Sequence, residues 1–315
     1  MDNLKNIVVG IDYTKSSDAA LAQAMRMAQW NAAHIHVIHV IESLVVSDLA
    51  RAYGAAEAHT EAEVRKAARR RANEAIAAAQ ALAAVNAETH SPRSEMNVDI
   101  VIGNPFYAIM CCIRVVSADL LILGAHGTST SHRGAGTLAA KCVRKAPTKV
   151  MLVRENGRRP FARIAACIDF SESSALVIEQ AIRCAQQDSA AIDVLHVFSP
   201  PWQVVHYMSP TLQASPDFQK QYRDHLNSRL EEFLRPYESE TIALNVEHHL
   251  IEATEVKWGI TEFLKSSGAD LVVTGTRGRS WLVGMLIGTT AEAIVRDSPC
   301  SVLAIKPEGF SYRIG

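Results

Sequence analysis

The chain lacks the patterns that would announce a metal or redox centre. Its six cysteines, Cys111, Cys112, Cys142, Cys167, Cys184 and Cys300, form no Cys-x-x-Cys pair. None joins histidines at zinc-finger spacing. Several sit inside apolar patterns, which predicts buried thiols in a reducing compartment. Net charge is missing too: 32 Lys and Arg stand against 33 Asp and Glu, a balance of −1. That excludes a general electrostatic footprint for nucleic acid and leaves only a local basic patch open. No apolar run reaches the ~18 residues of a membrane span, so no membrane partner is expected. The start, Met1-Asp2-Asn3-Leu4-Lys5, has no basic region followed by an apolar stretch. No signal peptide is therefore expected, and the cytoplasm is the expected location. Gly-x-Ser-x-Gly, His-Glu-x-x-His and Gly-Lys-Ser/Thr are absent, and no nucleophile–base pair is recognisable. No catalytic residue and no metal ligand is expected.

What is present is a repeat. The 315 residues suggest two domains, and 48% hydrophobic residues suffice to fill their cores. Asn6 to Ser17 lines up with Arg163 to Ser174, setting Asp12 against Asp169 at an offset of 157 residues. The register holds to His39-Val40 and His196-Val197, and later Ala118 to Gly124 matches Ala269 to Gly275. The polar Glu155 to Pro160 segment marks the boundary. It predicts domains over 1–155 and 161–308, with a tail at 309–315.

Each copy alternates strand and helix. In the first, strands are expected over Ile7–Ile11, Ile35–Ile41, Val98–Ile102, Asp119–Leu123 and Lys149–Val153. Ser16 and Ser17 are the expected caps of a helix reaching about Asn31. Ala55 to Val85 reads as one long Ala-rich helix. Pro105 opens another, where its missing N–H costs nothing, and a further helix follows Gly136. In the second copy a helix is expected from about Pro216 to Pro236. The alternation predicts an α/β fold of two tandem doubly wound parallel sheets, five strands each. Ligands of such sheets bind at the carboxyl ends of the strands, where strand order reverses. The ends of the first and fourth strands flank that crevice.

The most informative stretch follows the apolar run Asp270 to Thr274. It is Gly275-Thr276-Arg277-Gly278, with Gly288-Thr289-Thr290 after nine intervening residues and a helical pattern from Ala291 to Arg296. Glycines allow close approach of backbone to a ligand, and a helix start favours an anion. The hydroxyls of Thr289 and Thr290 suit a cap or a phosphate, and Arg277 adds a cation. Together they read as a phosphate cradle.

The spacing Gly-x2-Gly-x9-Gly-Ser/Thr, filled by Gly275, Gly278, Gly288 and Thr289, resembles the nucleotide-binding motif of the universal stress protein family. The resemblance covers about residues 4 to 308 and is to the tandem, two-domain type. It implies a Rossmann-like, adenine nucleotide alpha hydrolase-like fold. It also implies a cytoplasmic stress-response protein that binds ATP or another adenine nucleotide, with or without Mg2+. In that family an Asp at the position of Asp169 faces the nucleoside, and backbone at the position of Val197 contacts adenine. Asp169 can equally cap the following helix with Ser171, and Phe170 can pack beside the base or in the core. The family also pairs domains through their fifth strands. Lys149–Val153 and Ser301–Lys306 are thus expected to pair within the chain, which removes two exposed edges and makes a homodimer optional.

The first copy departs from the motif. Gly124-Ala125-His126-Gly127 is followed by Gly136-Thr137 after only eight residues. His126 replaces Arg277, although Arg133 lies in the loop. Thr128 to Arg133 also reads as a solvated loop. Asp12, Val40, Gly124, Gly127, Gly136 and Thr137 form the expected second site, weaker than the first. Copy two departs elsewhere, carrying Thr254-Glu255-Val256 in place of Gly103-Asn104-Pro105. His39 and His196 read as buried, hydrogen-bonded strand residues. His248 and His249 point to opposite faces of one strand. The basic run Arg65 to Arg71 reads as a solvated helix face. A slow ATP hydrolase and a scaffold that binds no nucleotide are the alternative functions.

Overall fold

Strands buried on both faces read as continuous apolar runs. β1 (Asn6–Gly10) and β4 (Leu120–Gly124) are of this kind: Ile7, Val8, Val9, Leu121 and Ile122 are wholly buried. The structure, a computed structural model, describes residues 4–85, 95–127, 135–202, 215–278 and 287–310. Two compact units divide the chain: Met1–Pro160 with Ser301–Gly315, and Phe161–Cys300.

In unit 1, β2 (His34–Ile41) and β4 flank β1, β3 (Met96–Ile102) lies outside β2, and β5 (Lys149–Val153) outside β4. All these pairs are parallel, and strand order reverses between β1 and β4. β10 (Ser301–Ile305) then runs antiparallel to β5, with Val302 opposite Leu152 and Leu303 opposite Met151. The fifth strand of the second repeat therefore counts with unit 1. Lys306 anchors it by donating to the Val143 carbonyl. In unit 2, β6 (Arg163–Cys167) lies between β7 (Ala191–Phe198) and β9 (Leu271–Gly275), with β8 (Val246–Glu252) outside β7. The reversal there falls between β6 and β9.

The helices depart from expectation in two places. α1 (Lys15–Asn31) is capped by Thr14, whose Oγ1 accepts from the Ser17 N–H at 3.2 Å. Ser16 and Ser17, the expected caps, are buried inside the first turn. The extended backbone at Thr14 starts the helix earlier than the serines suggested. The single helix expected over Ala55–Val85 is preceded by another, α2 (Ser43–Tyr53), and begins at Glu57. Gly54 separates α2 from α3 (Glu57–Val85) at φ +61°, a left-handed turn that a glycine adopts without steric cost. On α3, Ala68, Ala72, Ile76 and Ala79 are buried and pack toward α1. The basic run on α3 is exposed but not merely solvated. Arg65 and Arg69 donate to the Ile100 and Val98 carbonyls at 2.6 Å, covering the free edge of β3.

α4 (Pro105–Val115) is capped by Asn104, and α5 (Thr137–Lys145) starts after Gly136. Unit 2 repeats the scheme with α6 (Glu172–Asp188), α7 (Pro216–Leu234), the single turn α8 (Glu238–Thr241), α9 (Val256–Ser267) and α10 (Thr289–Asp297). No described helix is long and apolar enough to cross a membrane. Cys142, Cys167, Cys184 and Cys300 are buried, Cys112 is half-buried and Cys111 is exposed, all as free thiols. Burial pushes Cys112 up to about 11 and Cys142 up to about 12, so both stay protonated.

Candidate functional site

The site of each unit begins where its first strand ends. After β6 the chain turns through Asp169, Phe170 and Ser171 into α6. Asp169 Oδ1 accepts from the Ser171 N–H and the Ser174 hydroxyl, each at 3.0 Å. The other oxygen, Oδ2, faces the glycine loop: a Cβ added to Gly278 would lie 2.5 Å from it. Asp12 repeats the arrangement. Its Oδ1 accepts from the Thr14 N–H at 3.1 Å and the Thr14 hydroxyl at 2.6 Å. A Cβ on Gly127 would meet Asp12 Oδ2 at 3.2 Å. The two roles open to this carboxylate thus fall on different oxygens, one in the turn and one toward the loop.

The residue after each Asp is left-handed, Tyr13 at φ 63° and Phe170 at φ 58°. This conformation sends the aromatic side chain away from the crevice. Phe170 stacks on His196 with ring centroids 4.4 Å apart, under the Arg229 guanidinium at 4.5 Å. Tyr13 stacks on His39 at the same 4.4 Å, under Arg71 at 4.3 Å. Each imidazole donates from Nδ1 to the carbonyl two residues before the aromatic, Ile11 at 2.8 Å and Ile168 at 2.9 Å. Burial is the main cause that lowers the His39 pKa below its ordinary value, against opposing pulls from the Ile11 carbonyl and Asp12. Burial likewise raises the Tyr13 hydroxyl to about 12, although Arg71 opposes it.

The glycine loops close the crevice. Gly124 must be a glycine, because a Cβ there would lie 2.8 Å from the Ser17 backbone nitrogen. Gly136 and Gly288 are the N-caps of α5 and α10, and neither helix has a side-chain cap. Gly288 donates to the Thr276 carbonyl at 2.8 Å, and Gly136 to the Ala125 carbonyl at 2.8 Å. Thr128 to Arg133, including the Arg133 noted above, lie outside the described residues.

One crevice in unit 2 is lined by Asp169, Val197, Gly275, Arg277, Gly278, Gly288, Thr289 and Thr290. Of the expected residues only Phe170 is not among its lining. The crevice of unit 1 brings together Asp12, Val40, Gly124, Gly127, Gly136 and Thr137. The two differ in room, about 590 Å³ in unit 1 and about 120 Å³ in unit 2. Sequence reasoning missed other walls, Val177 and Ile260 in unit 2 and Val45, Phe106 and Lys141 in unit 1, whereas Val256, in the stretch where copy two departs from copy one, does line the crevice. Lys141 had a readable signal, since it lies one helical turn beyond Thr137 and so shares its face.

Unit 2 holds a second polar cluster away from the crevice. Asp193, buried on β7, takes two hydrogen bonds from Arg163 at 2.6 and 2.7 Å and one from His249 at 2.8 Å. Asp193, Glu247 and His249 come within ligating distance of one another. The guanidinium already supplies the positive charge that a cation would bring.

A parallel sheet wound on both faces, with a carboxylate and a glycine loop meeting at the reversal of strand order, defines the class of α/β proteins with a crevice at that edge. Within that class, a family model described as the universal stress protein family matches residues 3–154 and again 160–306. The chain belongs to the universal stress protein family and carries its domain in tandem. A universal stress protein of Mycolicibacterium smegmatis is 26% identical over 309 residues, covering 96% of this chain and 97% of the relative. Universal stress protein A homolog 1 of Coxiella burnetii is 30% identical over 148 residues, 46% of this chain and 96% of its own. The crystal structure of a universal stress protein from Archaeoglobus fulgidus shares the fold at a TM-score of 0.64 and 16% identity, covering 96% of this chain and 98% of that one.

Proposed function

We propose that the protein binds an adenine nucleotide at both crevices, more tightly in unit 2, and acts as a binding and signalling module of the cytoplasmic stress response. The observation that carries this reading is the placement of Asp169. One oxygen is fixed in the turn before α6 and the other is directed at Gly278. A carboxylate held in this way suits ribose hydroxyls or an adenine amine. The start of α10 and Arg277 in the same crevice suit phosphates. The two functional modules follow the repeats, 1–155 and 161–308.

The choice of unit 2 weighs two opposed facts. Its crevice is smaller than the ~300 Å³ at which ligand pockets begin. Arg277, one of its lining side chains, is long, and an off-rotamer torsion costs only about 1 kcal/mol. The loop of unit 1 is one residue shorter between Gly127 and Gly136 and so offers one backbone N–H fewer, although Gly136 is held to Ala125 as Gly288 is to Thr276. Titrating the full chain with ATP, with and without Mg2+, tests the reading. One tight and one weaker site are expected, and mass spectrometry of denatured, freshly purified protein is expected to release an adenine nucleotide. Absence of both heat and released nucleotide would overturn it.

A further inference from the structure

We propose that unit 1 holds the anionic group of its ligand against Lys141, between the starts of α4 and α5, instead of in the glycine loop. The proposal rests on the nucleotide reading above and adds where the charge goes and which residue selects it. Among the described residues each crevice is lined by one strong cation, but on different elements. In unit 2 it is Arg277 in the loop. In unit 1 that loop position is His126, an imidazole in place of the guanidinium. Lys141, five residues after Gly136, lines the crevice of unit 1, whereas the residue five after Gly288 is the buried Ala293.

The surroundings of Lys141 fit an anion. Its Nζ stands 4.2 Å from the centroid of Phe106, a buried ring at the start of α4. The ring face steadies the ammonium without neutralising it, as a carboxylate would. Among the described residues Lys141 makes no ion pair. In unit 2 the matching ring position is Lys257, which is paired to Glu255 at 3.0 Å and more than half exposed. The first residues of both α4 and α5 also line the cavity of unit 1, so two helix starts flank the ammonium. Asp12 and Glu42 line the same cavity. The crevice is thus polarised, with acceptors for hydroxyl or amine groups and a cation for a phosphate. Its 590 Å³ is enough for a nucleotide.

The test uses the full chain with the unit 2 site silenced by Gly278→Val, and ATP and adenosine as probes. Lys141→Gln is expected to weaken ATP at the remaining site by about 10- to 100-fold, the loss of one charge-assisted bond. Adenosine affinity and melting temperature stay unchanged, and Lys141→Arg restores ATP. An equal loss for ATP and adenosine would assign Lys141 to packing and overturn the proposal. So would unchanged ATP affinity. Failure of the Gly278→Val protein to bind either probe, with two sites seen in the wild type, would place both outside unit 1. Failure of the wild type to bind either would sink the nucleotide reading itself. If Gly278→Val does not fold, Gly278→Ala takes its place.

Discussion

The contact between Gly278 and Asp169 can be tested with a single methyl group. A Cβ on Gly278 would lie 2.5 Å from Asp169 Oδ2, and real Cβ atoms do not approach closer than about 3.0 Å. Gly278→Ala therefore forces the carboxylate or the loop to move by at least about half an ångström. The carboxylate is not free to swing, because Oδ1 is held by Ser171 and Ser174 at 3.0 Å each. Turning it weakens one of these bonds to a charged acceptor, worth roughly 1.5–3 kcal/mol. Moving the loop instead shifts its N–H groups away from the phosphates. By either route ATP affinity in unit 2 falls by about 10- to 100-fold. Gly127→Ala is the internal control. Its Cβ would meet Asp12 Oδ2 at 3.2 Å, a contact that a few tenths of an ångström relieves. Calorimetric titration with ATP is the assay, run beside thermal melting. Unchanged affinity in folded Gly278→Ala, or equal losses from both substitutions, would refute the steric reasoning.

Other outcomes follow from the same geometry. Gly288→Ala places a Cβ at an ordinary 3.6 Å from the Thr276 carbonyl, so melting temperature should hold while ATP affinity drops; intact affinity would mean that no phosphate approaches Gly288. Asp169→Asn keeps an oxygen for the turn but loses the charge. It should weaken adenosine binding by about 10-fold or more with little change in melting temperature, and the reverse pattern would assign the residue to the helix turn. Asp193→Ala removes the centre of a buried ionic cluster and should cost about 3 kcal/mol in denaturant unfolding, with a loss under 1 kcal/mol counting against the cluster as a stabilising unit. Because the His39 pKa is lowered in the fold, the unfolded chain binds more protons than the folded one as pH falls below 6.5. Stability is thus full above that pH and declines as pH drops through the folded value. His39→Gln should flatten this slope in melts between pH 7 and 5, and an unaltered slope would point to other groups.

The sheets were legible because central parallel strands must be apolar throughout, and the repeat let one copy check the other. The pairing of Asp169 with Gly278 was legible for the same reason: two motif positions fell at the ends of adjacent strands. α2 was not, because Glu42, its first flanking residue, makes no side-chain cap and only Val46 and Ala50 are buried. The orientation of Phe170 was hidden by its backbone. Nothing in a phenylalanine signals φ 58°, and a residue in the ordinary extended region would have sent the ring elsewhere. The roles of Arg65 and Arg69 depend on which strand lies under α3, a tertiary fact that helix periodicity does not contain. The room in the crevices depends on side chains from several elements at once, so the larger volume of unit 1 had no signal in its shortened loop.

What the two repeats keep and what they vary separates the parts of the site. Both keep a left-handed aromatic after the Asp, a conformation that costs roughly 1–3 kcal/mol and persists only where its surroundings enforce it. In both, an arginine lies over the ring and a histidine packs against it. In unit 1 the hold is doubled, because the Tyr13 hydroxyl donates to the Ala68 carbonyl of α3 at 2.8 Å. The stack pins a long helix to the end of the first strand and turns the preceding carboxylate toward the glycine loop. Among the described residues the lining cation, by contrast, differs, Arg277 in the loop of unit 2 and Lys141 on α5 in unit 1, and the loop has changed length. Strain retained at one residue and freedom at the next imply that orienting the carboxylate is the common requirement of both crevices. On the nucleotide reading proposed above, the place of the ligand's negative charge is where the two crevices part.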